Sequence, residues 1–290
     1  MILIVGATGE LGSKITKGIA AAGGQVRILG RPQSDTRALE ALGAEVARGD
    51  LKDRVSLDRA CRGVDFVVTT ANSARRGGED TVATVDRDGS RALVDAAVAA
   101  GVRRFVYVSV VGAAPDSPVP FLAAKARTEA YLRASGLTWT ILAPNAFMES
   151  WPLRIVGLPA LAGQPIAVVG EGRRKHTFVA EDDVAAFALT AIKDRQSENM
   201  HVPIGGPEAL SWRDVVAIYQ RILGRPLEMV SVAPGQPIPG IPAPVLPLLA
   251  GFDAYDSAFD SQASARTFGI ALTPLETVAR RQVLDASSPS

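Results

Sequence analysis

The first 145 residues alternate short apolar runs with stretches long enough to form a helix, and this alternation limits the fold more than any other feature. The runs lack the polar–apolar alternation of a half-buried strand, so we expect strands that are buried on both faces. Between them, Thr81–Ala100 carries an apolar stripe at helical spacing and ends before Gly101. This β-α-β-α order predicts an α/β fold with a doubly wound parallel sheet and right-handed crossovers, of the Rossmann type. The predicted strands are Ile2–Val5, Gln25–Leu29, Glu45–Ala47, Phe66–Thr70, Phe105–Ser109 and Thr138–Leu142.

The pattern loosens after Pro144, which predicts a smaller C-terminal region. We therefore divide the chain into a nucleotide-binding domain at 1–147 and a substrate-binding region at 148–290, packed on the first and partly returning to it. The proline-rich stretch Pro234–Pro247 is either a lid or pocket wall, or a surface connector. The elements predicted in this region are strands at Ile166–Val169 and Thr177–Val179, a helix whose N-cap region is Asp182 and Asp183, and a helix opened by a capping box at Ser211–Asp214.

Composition narrows the class of protein. The 290 residues carry 31 Lys+Arg against 30 Asp+Glu, a net charge of +1, and 47% of them are hydrophobic. This balance argues against a nucleic-acid or anionic-membrane binder and supports a large core. One cysteine, Cys61, excludes an internal disulfide, and with only two histidines the chain argues against a zinc site. The apolar start has no basic leader, so we expect a cytoplasmic protein with no membrane segment.

A glycine-rich loop, Gly6-Ala7-Thr8-Gly9-Glu10-Leu11-Gly12, follows the first predicted strand and opens a helix. In this context the glycines predict a dinucleotide site, with the pyrophosphate at the free N–H groups of the helix start. We expect Gly6 to form the tight turn, Gly9 to admit the pyrophosphate with a positive φ, and Gly12 to let the helix pack on the sheet. A glycine turn that binds nothing is the alternative. The predicted cofactor contacts of this loop are Gly6, Thr8, Gly9, Glu10, Leu11 and Gly12.

Further cofactor contacts are predicted where other strands end. The second strand is followed by Arg31, which suits the 2′-phosphate of NADP(H), where an acidic residue would instead bind the ribose of NAD. A surface arginine is the alternative. Asp50, beside Leu51, is placed either to accept a hydrogen bond from adenine or to cap a helix. The basic turn Arg75–Gly78 is interpreted as a solvated loop. The remaining predicted contacts, at the ends of the fourth and sixth strands, are Thr70, Ala71, Asn72, Pro144, Asn145 and Phe147.

These motifs resemble the short-chain dehydrogenase/reductases, and more narrowly their atypical NmrA-like branch. That branch includes quinone oxidoreductase-like, triphenylmethane reductase-like and isoflavone reductase-like enzymes, together with NADP(H)-sensing regulators. The resemblance covers most of residues 1–147 and returns at Gly269–Leu275, while 150–265 matches least. It implies an NAD(P)H cofactor, and Arg31 favours NADP(H). The stretches that carry it are the glycine loop, Gly49–Leu51, Asp86–Gly89, Gly101–Phe105 and Ala124–Glu129.

The resemblance also implies a catalytic set of Ser, Tyr and Lys, with Tyr and Lys four residues apart on one helix. Lys125 matches the lysine, but Phe121 stands at the tyrosine position. Val110 aligns with the serine and Ser109 precedes it, and a slip of one residue would reverse the two. The resemblance implies that Lys125 holds the nicotinamide ribose, whereas a phenyl ring packs on the nicotinamide or substrate and donates no proton.

The loss of these hydroxyl groups predicts the reaction. Reduction of a simple ketone needs a proton donor, whereas a conjugated acceptor delocalises the charge that hydride transfer creates. We therefore expect an NADPH-dependent reductase of a conjugated, mainly apolar small molecule, such as a quinone, enone or imine. The alternative is a non-catalytic NADP(H) sensor that binds a protein partner; an epimerase is less favoured. A homodimer is the oligomeric state to test. The predicted substrate wall is Phe121, Phe147, Met148 and Trp151, although aromatic residues in such positions more often pack in a core.

Overall fold

A seven-stranded sheet with the order β3-β2-β1-β4-β5-β6-β8 forms the centre of the fold. The structure is a computed structural model that describes residues 1–74, 76–241 and 246–287. The pairings from β3 through to β6 are all parallel. Strands β7 and β9 form a separate parallel pair. The strands are β1 Ile2–Val5, β2 Val26–Gly30, β3 Glu45–Arg48, β4 Phe66–Thr69, β5 Arg104–Val108, β6 Thr138–Pro144, β7 Ile166–Val169, β8 Met200–Ile204 and β9 Met229–Val232.

Helices connect the strands in the alternation that the sequence predicts. All six predicted strands of the first part are confirmed; the first matches at both ends, and the other five differ by one or two residues. Within the described residues no helix is both long and apolar enough to cross a membrane. The helices are α1 Glu10–Ala21, α2 Arg37–Glu40, α3 Arg54–Cys61, α4 Ser90–Ala99, α5 Pro120–Ala134, α6 Leu158–Leu161, α7 Glu181–Lys193, α8 Trp212–Leu223, α9 Leu246–Ala254, α10 Gln262–Phe268 and α11 Leu275–Ser287.

The helix predicted at 81–100 is present, but its first turns, Val82–Gly89, are wound as a π-helix that continues into α4. Thr81 caps it, because its hydroxyl accepts a hydrogen bond from the backbone N–H of Thr84. In return, the hydroxyl of Thr84 accepts a hydrogen bond from the backbone N–H of Thr81. A Cβ at Gly89 would lie 2.9 Å from the Cβ of Leu51, so only glycine permits this close packing. Extra windings of this kind are frequent at functional sites.

Two compact units make up the chain. The first contains Met1–Ala143 and Val184–Pro203, and the second contains Pro144–Asp183 and the chain from Ile204 onward. The predicted boundary after residue 147 therefore lies four residues late, and residues 184–203 belong to the first unit. Each unit has its own apolar core, built in the first unit around Leu3, Val67, Leu93, Phe105 and Ile141, and in the second around Ile166, Phe178, Trp212, Val215 and Tyr219.

The second unit differs from prediction in three places. Thr177–Val179 is not a strand, because within it only Val179 forms a bridge, an isolated one to Phe147. Asp182 and Asp183 lie inside the first turn of α7 rather than before it. The proline-rich stretch is not one loop, since α9 begins at Leu246, and residues 242–245 lie outside the described residues. By contrast β7 is confirmed, and so is the capping box that opens α8.

Candidate nucleotide-binding and active site

The loop between β1 and α1 packs tightly at two of its three glycines. Gly6 has a φ of +92°, and a Cβ there would lie 2.6 Å from Oγ1 of Thr70. A Cβ at Gly12 would lie 2.2 Å from the carbonyl oxygen of Gly6, so the helix approaches the strand end as closely as a glycine allows. The roles predicted for Gly6 and Gly12 therefore agree with the geometry.

Gly9 is different, and the predicted positive φ is wrong. Its φ is −80°, and a Cβ there would have only the carbonyl oxygen of Gly6 within 4 Å, at 3.3 Å. Neither the backbone conformation nor the packing therefore requires glycine at this position. Gly9 is also the N-cap of α1, and it provides no side chain to cap the N–H groups at the positive end of the helix.

These features fit a dinucleotide pyrophosphate. Thr8, Gly9 and Glu10 are exposed, so the space before the helix start is open on the side from which an anion would approach. Leu11 is buried and anchors α1 to the sheet. At the end of β4, the hydroxyl of Thr70 donates a hydrogen bond to the carbonyl of Gly6 at 3.4 Å. Ala71 is buried and Asn72 is exposed beside it.

Arg31 lies directly after β2, where the ribose of a dinucleotide would be recognised. Its Nη1 lies 3.3 Å from a carboxylate oxygen of Asp80. Lys52 and Arg76 also pair with Asp80. Neither was a predicted site residue: Lys52 follows the Gly49–Leu51 motif without a pattern of its own, and Arg76 belongs to the turn interpreted as a solvated loop.

Asp50 and Leu51 have structural roles in their loop. Asp50 Oδ1 accepts a hydrogen bond from the backbone N–H of Lys52 at 2.9 Å, which closes a local turn. Leu51 is 1% exposed and packs in the core of the first unit. The predicted contact of Asp50 with adenine stays a prediction, and Leu51 has only its backbone to offer a ligand.

Lys125 is buried beside the ring that replaces the expected tyrosine. It is 3% exposed, and its Nζ lies 5.5 Å from the ring centre of Phe121 and 4.8 Å from that of Tyr107. Nζ donates a hydrogen bond to the carbonyl of Val108 at 2.9 Å. Burial lowers the pKa of Lys125, although the carboxylates of Asp86 and Glu129 act in the opposite direction. Pro120 opens α5 in front of this pair.

Ser109 directs its proton into the protein. Its Oγ donates a hydrogen bond to Oε1 of Glu129 at 2.5 Å, and both side chains are buried. Burial raises the pKa of Glu129, but hydrogen bonds from His201 and Ser109 outweigh it and the net pKa is lowered. Arg133 also pairs with this carboxylate at 3.0 Å. Val110 is half-buried in the loop that follows.

Two polar groups that the sequence did not identify as site residues lie near Lys125. Tyr107 is 1% exposed, and its hydroxyl has no hydrogen-bond partner among the residues that the structure describes. Burial raises its pKa, so the phenol stays protonated. Asp86, also 1% exposed, accepts a hydrogen bond from the backbone N–H of Ser73 at 3.1 Å. Within β5 the tyrosine resembles an ordinary core residue, so no local pattern marks it as a site residue.

The polar residue predicted at the end of β6 serves the second unit itself. The Asn145 side-chain amide donates hydrogen bonds to Oγ1 of Thr177 at 3.1 Å and to the carbonyl of Ser257 at 2.8 Å. Its carbonyl oxygen accepts from the N–H of Ala146. This side chain therefore holds segments of the second unit together. The neighbouring Pro144 is the last residue of β6.

The predicted apolar wall divides into core and partly exposed residues. Met148 is 1% exposed and belongs to the core of the second unit, so it does not form a surface wall. Phe147 and Trp151 are half-buried. Trp151 meets Phe252 edge to face, with ring centres 5.0 Å apart. Of the second-unit candidates, Phe147 and Trp151 thus stay available for an apolar ligand.

The sheet and the glycine loop define a dinucleotide-binding protein of the Rossmann type. The family profile of NmrA-like proteins matches residues 1–259. The chain belongs to the NmrA-like family.

Curated relatives match about four-fifths of the chain. An NAD(P)H azoreductase from Xenophilus azovorans is 34% identical over 235 residues, which are 80% of this chain and 77% of the relative. A (4-alkanoyl-5-oxo-2,5-dihydrofuran-3-yl)methyl phosphate reductase from Streptomyces griseus is 35% identical over 228 residues, 78% of this chain and 75% of that one. The Photosystem II assembly factor Ycf39 of Cyanophora paradoxa is 30% identical over 234 residues, 80% and 71% of the two chains.

Solved structures share the whole fold. The NADPH-dependent quinone oxidoreductase of Escherichia coli in complex with NADPH has a TM-score of 0.83 at 23% identity, covering 98% of this chain and 100% of that one. The triphenylmethane reductase of Citrobacter sp. in complex with NADP(H) has a TM-score of 0.80 at 22% identity, covering 97% and 99%. At this identity the likeness is one of fold.

Proposed function

We propose that this chain is an NADPH-dependent reductase that transfers hydride to a conjugated, mainly apolar small molecule such as a quinone, enone or imine. Its named relatives include an NAD(P)H azoreductase and a (4-alkanoyl-5-oxo-2,5-dihydrofuran-3-yl)methyl phosphate reductase, and the chain is an NAD(P)H-dependent oxidoreductase of the NmrA-like type. Bound NADPH supplies the hydride. The glycine loop at the start of α1 receives the pyrophosphate, and the end of β2 presents Arg31 to the adenosine ribose.

One observation carries the choice of acceptor: each hydroxyl group near Lys125 is replaced, buried or committed elsewhere. Phe121 has no proton to give. Ser109 donates its proton to Glu129 at 2.5 Å, and this carboxylate stays ionised because its pKa is lowered. Tyr107 keeps its proton but is 1% exposed. A simple ketone, whose reduction develops a localised alkoxide, would therefore lack the hydroxyl donor that such a reduction commonly uses.

A conjugated acceptor removes this requirement. Its extended π-system spreads the negative charge that hydride transfer creates, and water can protonate the product afterwards. The side chain of Phe121 provides an apolar surface against which a flat acceptor packs. Lys125 contributes a positive charge, when protonated, that favours the developing anion. The residues of the site thus bind, orient and stabilise charge without a side-chain hydroxyl as the acid.

A screen of NADPH oxidation against quinones, enones, imines, azo dyes and simple ketones tests this proposal. We expect turnover with at least one conjugated class and none above background with simple ketones. A protein that reduces simple ketones efficiently would contradict the proposal, because it would need a proton donor that this geometry lacks. A heat-denatured sample at the same concentration controls for the non-enzymatic reaction of NADPH with quinones.

The second candidate is an NADP(H) sensor that binds a protein partner. The similarity to the assembly factor Ycf39 favours it, since that relative is named for assembly rather than for a reduction. Tight NADPH binding without turnover of any acceptor in the screen would support the sensor. Turnover of a conjugated acceptor would support the reductase.

A further inference from the structure

Three cations from three different loops converge on a single carboxylate in the first unit. Arg31 follows β2, Lys52 follows β3, and Arg76 lies in the loop after β4. Arg31 and Arg76 lie 3.3 and 3.5 Å from Oδ2 of Asp80, and Lys52 pairs with its Oδ1. We refer to Arg31, Lys52 and Arg76 as the cation cluster.

The carboxylate does not balance the charge of the cation cluster. Within ion-pair distance, Asp80 supplies one negative charge and Asp50 a second that is 3.9 Å from Arg76, against three positive charges. The exposed carboxylate of Glu79 attracts Lys52 from farther away, without a hydrogen bond. The side chain of Asp80 is 9% exposed, so the attraction acts with little screening by water. The hydrogen bond from Lys52 holds the pKa of Asp80 below its usual range, despite burial. A phosphate monoester, with a charge between about −1.5 and −2, would match the cluster better.

A buried donor in the cluster lacks an acceptor. Nη1 of Arg76 is inaccessible to solvent and has no hydrogen-bond partner among the described residues. Its carboxylate neighbours, Asp80 at 3.5 Å and Asp50 at 3.9 Å, lie beyond hydrogen-bond range. An unsatisfied buried donor is energetically unfavourable. A bound ligand with several acceptor oxygens would satisfy it. The three phosphate oxygens of a monoester provide such acceptors.

The position of the cation cluster indicates which phosphate. Its members follow β2, β3 and β4, so they lie at the carboxyl edge of the sheet, where the loop from Gly6 to Gly12 also lies. In doubly wound folds the group at the end of the second strand reads the 2′ position of the adenosine ribose. We propose that the cation cluster binds the 2′-phosphate of NADPH, and that Asp80 occupies this phosphate position in the unliganded protein and thereby limits the preference for NADPH over NADH. This inference rests on the proposed use of NADPH.

The loop that carries Asp80 can accommodate an exchange of anions. Gly77 and Gly78, between Arg76 and Asp80, have φ values of +68° and +61°, and a Cβ at either would meet nothing within 4 Å. The two glycines therefore have open space around them, while Arg76 and Asp80 on either side are held by their ion pair. When the phosphate binds, the carboxylate withdraws, and Arg31, Lys52 and Arg76 transfer their ion pairs to the phosphate oxygens. Binding of NADH, which has no 2′-phosphate, leaves Asp80 in place.

Calorimetric titration of NADPH and of NADH into the full chain and the Asp80→Asn variant tests the inference. We expect Asp80→Asn to bind NADPH about two- to fivefold more tightly, the range expected for partly exposed ion pairs, with NADH affinity unchanged. Glu79→Gln is the matched control, because it removes one negative charge from an exposed side chain of the same turn that attracts Lys52 without a hydrogen bond. It should change the ratio of NADPH to NADH affinity less than Asp80→Asn does. Asp80→Ala provides a second variant, and thermal melting checks that each protein is folded.

Two results would overturn the inference. If folded Asp80→Asn and Asp80→Ala both bind NADPH no better than the parent, Asp80 does not compete with the phosphate and instead organises the cations. If Arg76→Ala weakens NADPH and NADH equally, the cluster does not read the 2′-phosphate. A parent protein that binds neither nucleotide contradicts the proposed function itself, so the two failures are distinguishable.

Discussion

The amine of Lys125 lies 2.9 Å from the backbone carbonyl oxygen of Val108 and donates a hydrogen bond to it. This contact ties α5 to the end of β5 and places the amine, only 3% exposed, beside the rings of Tyr107 and Phe121. The same burial that positions the amine disfavours its charge. The charge of Lys125 is therefore expected to favour catalysis and, because the amine is buried, to lower the stability of the fold.

Stability should depend on pH through Lys125. Its pKa in the folded protein is lowered from the ordinary value of 10.5 because burial disfavours the charged form. Between that lowered pKa and 10.5 the unfolded chain binds more protons than the folded chain, so the free energy of unfolding rises with pH. Lys125→Met keeps the volume but removes the amine. We expect the difference in unfolding free energy between the variant and the parent to be largest at low pH and to shrink as pH rises. Denaturant unfolding across this range measures it, and a constant difference would contradict the assigned direction.

Turnover should separate the roles of Lys125 and Phe121. We expect Lys125→Ala to weaken cofactor binding and to lower kcat by about 100-fold, the usual effect of removing a charge that stabilises the transition state. Phe121→Ala removes an apolar surface, so it should raise KM for the acceptor several-fold with a smaller loss in kcat. Steady-state kinetics with one conjugated acceptor provide both values. A larger loss of kcat in Phe121→Ala than in Lys125→Ala would reverse the assignment.

The glycines of the loop offer a matched pair of variants. Gly12→Ala would place a Cβ 2.2 Å from the carbonyl oxygen of Gly6, and we expect it to destabilise the fold by at least about 2 kcal/mol. Gly9→Val meets only one atom within 4 Å, so the protein should fold, with a cost of about 1 kcal/mol for a poorer N-cap. Its branched side chain would nevertheless fill the approach to the helix start and abolish NADPH binding. Calorimetry on a folded Gly9→Val protein with unchanged NADPH affinity would show that this loop does not hold the pyrophosphate.

Cofactor choice should follow Arg31. We expect the parent to bind NADPH more tightly than NADH. Arg31→Ala should reduce that preference by about tenfold. This effect is at the low end of the range for charge-assisted hydrogen bonds, because the side chain of Arg31 is 26% exposed. Dissociation constants for both nucleotides in the two proteins measure the effect. Equal affinities in the parent would exclude a phosphate-reading role for Arg31.

The sequence predicted the sheet and the glycine loop well, because both are encoded locally. Strands buried on both faces are short apolar runs, and the crossover rule then places them in a parallel sheet. The sequence could not reveal the conformation of Gly9, since a glycine is compatible with either sign of φ. The prediction of a strand at Thr177–Val179 was wrong for a related reason. A short apolar segment has the sequence pattern of a strand whether or not another strand pairs along its length.

The parts of the site that depend on distant residues were beyond local patterns. The choice between Ser109 and Val110 is a matter of one residue in the sequence, yet the hydrogen bond to Glu129, twenty residues away, fixes what the serine proton does. The grouping of Arg31, Lys52 and Arg76 around Asp80 likewise joins four loop positions that no periodicity connects. From the sequence alone, a basic residue in a solvated turn cannot be distinguished from one that joins such a cluster.

Restoring one hydroxyl should not create a ketone reductase. Phe121→Tyr returns a phenol four residues before Lys125, but Val110 still lacks an orienting hydroxyl and Ser109 stays bound to Glu129. We expect Phe121→Tyr alone to leave ketone reduction at background, and the double variant with Val110→Ser to gain measurable activity. Ketone reduction by Phe121→Tyr equal to that of the double variant would show that the serine position is not needed.

Single-turnover oxidation of NADPH by the parent protein, with a quinone and with a simple ketone under the same conditions, tests the central claim most directly. The absence of an available hydroxyl donor near Lys125 predicts rapid oxidation with the quinone and none above background with the ketone. Efficient oxidation with the ketone would contradict the account, and tight NADPH binding without oxidation by either acceptor would favour the sensor.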